Sequence, residues 1–317
     1  MKVLVSDKIA NEGLEILHRS GGEVDVKTGL KPEEIVPIIG DYDAMVVRSQ
    51  TRVTAEVINA GKKLKVIGRA GAGVDTIDVE EATKNGILVV NAPTSNTIAV
   101  AEHTIGLMLS LTRHIPKANA SLKSGEWKRG DFMGTEVRGK TLGLIGLGNV
   151  GSEVAKRAQA FNMKVIAYSP SVPPERAHKL GVELVSLEQL LRESDFISLH
   201  TKMSPEKKGM IGEKELALVK PTARIINCAR GALINEEALC KALKEGRIAG
   251  AAIDVFCTEP CTESALFACD NAIVTPHLGA STHEAQIVAA TDTAEQIVDV
   301  LQGKPAKHPV NAPTNPR

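Results

Sequence analysis

Three short segments in the last third of the sequence each contain a side chain suited to proton or hydride transfer. They are NCARGALIN (227–235), DVFCTEP (254–260) and TPHLGAST (275–282). His277 carries an imidazole, which titrates near neutral pH and can act as general base or acid. Glu259 could fix the tautomer of that ring, and Arg230 offers a planar fork to a substrate carboxylate. We therefore predict that Arg230, Glu259 and His277 form a catalytic set.

Each of these residues also has an ordinary explanation. Arg230 before a glycine could be a surface charge in a turn, Glu259 before a proline a loop acid, and His277 after a proline a solvated residue. Their joint occurrence at the ends of consecutive predicted strands favours the catalytic interpretation. The histidines that lack such a setting are interpreted as structural; they are His103, His114, His200 and His283.

A glycine-rich turn precedes these segments. Gly146, Gly148 and Gly151 spell GLGNVG between an apolar run and the helical pattern SEVAKRAQAF. In a dinucleotide-binding turn the first glycine permits the bend, the second lets backbone approach a pyrophosphate, and the third allows close packing of helix and strand. We expect this turn, with Asn149 and Val150, to bind the cofactor at the helix N-terminus. The alternative is a βα turn without a ligand.

The residue after the next predicted strand bears on cofactor choice. NAD-binding domains usually place an acidic residue there to accept the ribose 2′-hydroxyl, whereas this sequence has Ser169. A neutral side chain does not repel a 2′-phosphate, but no basic residue follows until Arg176. We predict NAD as the cofactor and leave NADP open.

Two series of apolar runs alternate with helix-length segments, which indicates βαβ units and parallel sheets. The first series is VLVS (3–6), AMVV (44–47), KVIG (65–68) and ILVV (87–90), and the second is TLGLIG (141–146), KVIAY (164–168), FISLH (196–200), ARIIN (223–227), AAIDV (251–255) and AIVTP (272–276). Long helices are predicted from about Asn96 to Lys117 and from about Thr282 to Gln302.

The pattern predicts an α/β protein with two Rossmann-like, doubly wound parallel-sheet lobes, the first of them discontinuous. A substrate-binding domain would comprise residues 1–97 and 286–317, and a dinucleotide-binding domain residues 98–285. The last helix should return the Pro-rich end of the chain to the first lobe.

Composition narrows the classes of partner. Lys plus Arg and Asp plus Glu number 38 each, so no overall charge attracts nucleic acid or an anionic membrane. The first residues do not resemble a signal peptide, no long apolar run follows, and the five cysteines suit reduced thiols; we expect a cytoplasmic protein. Cys257 and Cys261 lack a second pair of ligands nearby, and no metal site is predicted.

Taken in order, GLGNVG, the Arg-Gly turn, the Glu-Pro pair and the Pro-His pair resemble the signature motifs of the D-isomer-specific 2-hydroxyacid dehydrogenases. The resemblance covers essentially the whole chain and implies that Asp254 lies near the nicotinamide. It implies further cofactor contacts from Thr201, Cys228, Ala229 and Gly279, and from Arg230 and His277.

Further stretches resemble those family members that act on D-3-phosphoglycerate, a phosphorylated 2-hydroxy acid. They are VRSQTRVT (47–54), GRAGAGVDTID (68–78), GEWKRGDFMGTEVRGKTLG (125–143) and PHLGASTHEAQ (276–286). Such a substrate needs cations, for which Arg48, Arg69 and Arg129 are candidates. The backbone of Gly71, Ala72 and Gly73 could bind the carboxylate. The helix after Asn96 and the loop near Trp127 predict a homodimer or larger homo-oligomer.

Three functions remain open at this point. The first is NAD-dependent oxidation of D-3-phosphoglycerate to 3-phosphohydroxypyruvate. The second is NADPH-dependent reduction of glyoxylate or hydroxypyruvate, which Ser169 mildly favours. The third is a regulator that senses NAD(H) without catalysis; it is disfavoured because the pair of His277 and Glu259 would be superfluous.

Overall fold

The computed structural model describes residues 1–317, which divide into two compact units. Unit 1 comprises residues 1–96 and 281–317, and unit 2 comprises residues 97–280. The strands are β1 Lys2–Val5, β2 Glu23–Val26, β3 Ala44–Val47, β4 Val66–Arg69, β5 Leu88–Asn91, β6 Thr141–Ile145, β7 Lys164–Tyr168, β8 Glu183–Leu184, β9 Phe196–Leu199, β10 Arg224–Asn227, β11 Gly250–Ile253 and β12 Ala272–Val274. The helices are α1 Asn11–Arg19, α2 Pro32–Ile35, α3 Ala55–Ala60, α4 Val79–Lys84, α5 Thr97–Thr112, α6 Ile115–Lys123, α7 Asn149–Ala160, α8 Pro174–Lys179, α9 Leu187–Glu193, α10 Glu213–Leu216, α11 Glu236–Lys244 and α12 His283–Leu301.

Unit 1 is built on a five-stranded sheet in the order β2-β1-β3-β4-β5. Every neighbouring pair is parallel, and β3 is buried along its whole length, as expected of a strand covered on both faces. The order is that of a doubly wound sheet, which places loops able to bind ligands at the carboxyl ends of the strands.

The end of the chain belongs to unit 1. Thr282 caps α12 by accepting a hydrogen bond from Ala285 N–H, and α12 packs on β4 at Gly68. A Cβ atom at Gly68 would lie 2.6 Å from side-chain atoms of Thr293 and Ile297, so only glycine permits this approach. Beyond α12, Val310 N–H donates to the Val89 carbonyl, which anchors the last residues on the edge strand β5.

Unit 2 contains a seven-stranded parallel sheet in the order β12-β11-β10-β9-β6-β7-β8. Counted within the unit, the order is 3-2-1-4-5-6-7, that is, the Rossmann order extended by one strand. The strand order reverses between β6 and β9. Two clusters of buried apolar side chains cover the opposite faces of the sheet. The predicted α/β fold with two doubly wound parallel sheets is confirmed.

The prediction of one continuous helix from Asn96 to Lys117 is wrong. Helix α5 ends at Thr112, His114 adopts a left-handed conformation with φ of 54°, and α6 begins at Ile115. The physical reason is Pro116, because its ring lacks an N–H and would clash with the carbonyl of Thr112 in a continuous helix.

None of the helices combines the length and the apolar character needed to cross a membrane.

Candidate active site

His277 and Glu259 form a hydrogen-bonded pair in unit 2. Nδ1 of His277 lies 2.6 Å from Oε2 of Glu259, although the two residues are 18 positions apart. The His277 backbone has a φ of 53°, a region that few residues other than glycine adopt, and its N–H donates to the Asp254 carbonyl at 2.8 Å. The ring is therefore held from both its backbone and its side chain, and Nε2 is the ring atom left for another partner.

The ionisation of Glu259 fits this pairing. Burial alone would raise the pKa of Glu259, but hydrogen bonds from His277 and Phe256 N–H and the charge of Arg230 outweigh it. The pKa of Glu259 is consequently held below its usual value, so the carboxylate is ionised at neutral pH.

Arg230 follows β10, and close backbone packing brings its turn against the loop that carries Glu259. A Cβ atom at Gly231 would collide with the backbone of Phe256 and Cys257, so glycine is required after the arginine. The Asn227 side chain donates to the Arg230 carbonyl at 2.9 Å and thereby fixes the turn. The charge of Arg230 contributes to the lowered pKa of Glu259, so the guanidinium lies in the neighbourhood of that carboxylate.

Asp254 is a fully buried acid at the end of β11 that organises the turn after β12. Its Oδ1 accepts hydrogen bonds from Thr275 Oγ1 at 2.6 Å and Leu278 N–H at 2.8 Å, and its Oδ2 accepts one from Gly279 N–H at 2.9 Å. Burial would raise the pKa of Asp254, but these bonds and one from His103 lower it below its usual value.

The structure gives His103 a position that sequence reasoning missed. Its Nε2 lies 3.2 Å from Asp254 Oδ1 and 3.3 Å from Thr275 Oγ1. The interpretation of His103 as an ordinary structural histidine is therefore incomplete, since it contacts a residue of the candidate site. A single histidine on a largely apolar helix does not reveal which strand end that helix faces, so the sequence held no signal for this contact.

The three glycines of the turn after β6 differ in how closely they are packed. Gly146 has a φ of 104°, and a Cβ atom there would lie 2.6 Å from the His200 carbonyl oxygen. A Cβ atom at Gly151 would collide with the Gly146 carbonyl, whereas no atom lies within 4 Å of the Cβ position at Gly148. Helix α7 begins directly afterwards, at Asn149 and Val150, without a side-chain cap at its first N–H groups. These features fit a dinucleotide phosphate at the helix N-terminus.

The remaining predicted cofactor residues lie at the ends of neighbouring strands. The Ser169 hydroxyl, after β7, accepts a hydrogen bond from Leu147 N–H at 3.1 Å, so it is tied to the glycine turn. Thr201, two residues after β9, accepts a bond from Lys207 Nζ at 2.9 Å. Cys228 directly follows β10 and Ala229 comes next; burial raises the pKa of Cys228 to about 12, so it stays a thiol.

Two of the predicted cations lie at the carboxyl edge of the unit 1 sheet. Val47 pairs with Arg69 in the register of β3 and β4, so Arg69 ends β4 while Arg48 directly follows β3. Arg48 Nη1 donates to the Lys8 carbonyl at 3.0 Å. The Arg69 guanidinium lies over Gly71, which has a φ of 145° and leads into Ala72 and Gly73.

Arg129 lies elsewhere in the chain, in an exposed 3-10 helix of unit 2 that spans Arg129–Phe132 and has no buried residue. Its side chain therefore belongs to a surface segment rather than to a strand end.

The family model described as "D-isomer specific 2-hydroxyacid dehydrogenase, NAD binding domain" matches residues 105–279, which lie within unit 2. This part of the chain is a domain for a nicotinamide dinucleotide.

Two curated relatives are D-3-phosphoglycerate dehydrogenases. The protein of Synechocystis is 54% identical over 98% of this chain and 56% of its own length, and that of Methanocaldococcus jannaschii is 53% identical over 100% of this chain and 60% of its own length. The chain thus spans less than two thirds of either relative. The TT0316 protein of Thermus thermophilus superimposes with a TM-score of 0.91 and 35% identity, covering 98% of this chain and 100% of that structure. The chain belongs to the family of D-isomer-specific 2-hydroxyacid dehydrogenases.

Proposed function

We propose that this protein oxidises D-3-phosphoglycerate to 3-phosphohydroxypyruvate with NAD, the reaction that opens serine biosynthesis. The observation that carries the proposal is the hydrogen bond of 2.6 Å between His277 and Glu259, with Arg230 close enough to lower the pKa of that carboxyl. The identity to D-3-phosphoglycerate dehydrogenases, at 53% and 54%, supports the choice of substrate.

In the proposed reaction His277 is the general base. Its Nδ1 is occupied by Glu259, so Nε2 accepts the proton of the 2-hydroxyl group while the hydride leaves C2. The imidazolium that forms is stabilised by the ionised Glu259, which also fixes the ring orientation. In the reverse direction the same nitrogen returns the proton to the 2-oxo group.

Arg230 binds the substrate carboxylate and polarises the oxygen at C2 in this proposal. A guanidinium presents two parallel N–H groups and stays charged at any working pH, which suits a planar carboxylate. Its turn is fixed by Asn227 and by the contact of Gly231 with the Phe256 backbone. Orientation of the substrate before the proton moves is the main contribution expected of it.

The cofactor supplies the hydride acceptor when it is bound. The turn from Gly146 to Gly151 and the first N–H groups of α7 would hold its pyrophosphate. Asp254 and Gly279 would lie at the nicotinamide end, and the cleft lining would include Thr201, Cys228 and Ala229. We infer NAD rather than NADP because the end of β7 offers Ser169 and no nearby cation for a 2′-phosphate.

Arg48 and Arg69 would bind the substrate phosphate, with the backbone of the loop from Gly71 to Gly73 on the carboxylate. Their positions at the carboxyl ends of the neighbouring strands β3 and β4 support this role.

We further propose a homodimer whose contact surface includes the segment from α6 to Met133. No residue of α6 or of the following 3-10 helix is buried, and the side chains of Leu122, Trp127 and Met133 are 57%, 78% and 82% exposed. Apolar side chains at such exposure are typical of a protein interface. Arg129 lies within this segment and could reach a site of the partner subunit.

The test is a matrix of substrates and cofactors. Initial rates are measured with D-3-phosphoglycerate and NAD, and with glyoxylate or hydroxypyruvate and NADPH, for the wild type and for Arg48→Ala, Arg69→Ala and the exposed control Arg52→Ala. We expect the phosphorylated substrate with NAD to give the highest kcat/KM. Each of the first two substitutions should lower the preference for phosphorylated substrate by about 10- to 100-fold, as loss of a charged hydrogen bond does. A preference unchanged in both variants would contradict the phosphate assignment, and faster turnover of glyoxylate with NADPH would contradict the proposed substrate.

A further inference from the structure

Two buried thiols of unit 2 face each other at a place that the proposed reaction does not use. Cys240 Sγ lies 3.5 Å from Cys269 Sγ, and the two residues are 5% and 6% exposed. Cys240 belongs to α11, and Cys269 follows the 3-10 helix Ala265–Ala268. Both thiols are oriented towards one acceptor, the Ala265 carbonyl, at 3.5 and 3.6 Å.

This distance is short enough for a covalent bond to form with little movement. A disulfide needs its sulfur atoms about 2 Å apart, so the two side chains together would have to close about 1.5 Å. The other cysteines have different surroundings. Cys228 contacts Thr104 near Asp254, Cys257 is exposed, and Cys261 donates to the Glu263 carbonyl.

We propose that Cys240 and Cys269 are a redox-modification site, which a two-electron thiol oxidant such as hydrogen peroxide converts to a disulfide. One thiolate attacks the peroxide, the O–O bond breaks, and a sulfenic acid and one water form. The second thiol then displaces the sulfenic oxygen as a second water, and the S–S bond forms. Two thiols are oxidised, one peroxide is reduced to two waters, and a dithiol reductant reverses the reaction.

The site is selective because of its geometry rather than because its thiols are acidic. Burial, and then the neighbouring Cys240, raise the pKa of Cys269 to about 11, so the thiolate is scarce at neutral pH. The largely exposed Cys257 also has a raised pKa, of about 11, because partial desolvation and the neighbouring Glu236 disfavour the thiolate. Oxidation should therefore be slow at neutral pH and faster at higher pH. Only Cys240 and Cys269 have a second thiol in contact, so only this pair should form a disulfide.

The bond would tie α11 to the segment that follows the Glu259 loop. The chain between Cys240 and Cys269 contains β11, Asp254 and Glu259. The two sulfur atoms are already in contact while Glu259 is hydrogen-bonded to His277, so closure should leave this pair in place. Closing a loop of this length restrains the unfolded chain and should raise Tm by several degrees.

The experiment uses the full chain with Cys257→Ser and Cys261→Ser, in which the thiols left are Cys228, Cys240 and Cys269. The reduced protein is treated with hydrogen peroxide at several pH values, and intact mass, peptide maps without reductant, Tm and turnover are measured. We expect a mass loss of two hydrogens, one cross-linked peptide pair joining Cys240 and Cys269, a rate that rises with pH, a higher Tm and retained turnover. Dithiothreitol should restore the original mass and Tm.

Single substitutions Cys240→Ser and Cys269→Ser in the same background should abolish the cross-link and the shift of Tm. If one of these variants fails to fold, the peptide map of the protein that carries only Cys257→Ser and Cys261→Ser decides between the outcomes. Addition of oxygen atoms to Cys269 without a cross-link, or a cross-link that involves Cys228, in protein whose circular dichroism is unchanged, would overturn the proposal.

Discussion

Nε2 of His103 lies 3.2 Å from Oδ1 of Asp254, and this contact joins helix α5 to the turn that carries His277. Asp254 is fully buried and ionised, so it depends on every donor around it. His103 is therefore a positioning residue of the candidate site.

The first prediction concerns this contact. His103→Ala removes one donor from a buried carboxylate and should lower the free energy of unfolding by about 1–3 kcal/mol. His103→Gln, which retains an N–H donor, should recover part of the loss, and the exposed His178→Ala should change nothing. Urea unfolding of the three variants measures this, and equal stabilities of His103→Ala and the wild type would show that the contact contributes nothing.

The second prediction concerns cofactor choice. Ser169→Asp places a carboxylate at the end of β7, where it can accept the ribose 2′-hydroxyl of NAD and repel a 2′-phosphate. The ratio of kcat/KM for NAD to that for NADP should rise by about tenfold or more, which corresponds to one charged hydrogen bond. Ser169→Ala is the matched control, since it removes the bond to Leu147 N–H without adding charge. A ratio that falls or stays constant in the aspartate variant would refute the role given to this position.

The third prediction concerns assembly. Trp127→Glu puts a charge on a side chain that is 78% exposed, so it should not unfold the chain. If the segment from α6 to Met133 is the dimer contact, the variant should sediment as a monomer at concentrations at which the wild type sediments as a dimer. Phe161→Glu, at another exposed apolar side chain of unit 2, provides the control. An unchanged dimer in the Trp127 variant would place the interface elsewhere.

The fourth prediction concerns pH and His200, which lies beside the glycine turn and pairs with the Ser198 hydroxyl at 2.8 Å. Burial lowers the pKa of His200 from 6.5 to about 4, so the folded protein binds fewer protons than the unfolded chain between these values. The contribution of neutral His200 to the free energy of unfolding is fully present above pH 6.5, the pKa in the unfolded chain. It is lost as the pH falls from there towards about 4, by at most about 3 kcal/mol. Below pH of about 4, His200 should cause no further loss of stability, because it is then protonated in both states.

Urea unfolding at about pH 7.5 and about pH 5 measures the effect. His200→Gln should reduce the difference between the two conditions, whereas His178→Gln, at an exposed position, should leave it unchanged. An identical pH dependence in the His200 variant would contradict the assignment.

Much of the fold follows from local pattern. Strands such as β3 and β11 are short continuous apolar runs, and this pattern identifies a strand that is covered on both faces. Helix α12 begins after the Thr282 cap and ends within one residue of the prediction, because cap and apolar period agree. By contrast the sequence pattern does not predict β2 or β8, because half of β2 is acidic, which is uncommon in strands, and β8 has only two residues.

Part of the candidate site can likewise be predicted from the sequence, and part of it cannot. Arg230, Glu259 and His277 each lie within a few residues after a strand pattern, and parallel strands bring their carboxyl ends to one edge, so the sequence predicts that they lie close together. His103 lies on a helix far away in sequence, and its contact with Asp254 depends on how α5 packs on the sheet. Packing of this kind is a tertiary property that periodicity does not encode.

The proposed acid–base role is tested most directly by the turnover of His277→Gln, measured together with NADH binding by fluorescence. Glutamine keeps a side-chain amide near Glu259 but cannot exchange a proton at neutral pH. We predict that kcat for D-3-phosphoglycerate falls by about 100- to 10,000-fold, as loss of a general base does, while NADH still binds with near wild-type affinity. Turnover within a few-fold of the wild type would contradict the role of His277, and with it the proposed mechanism.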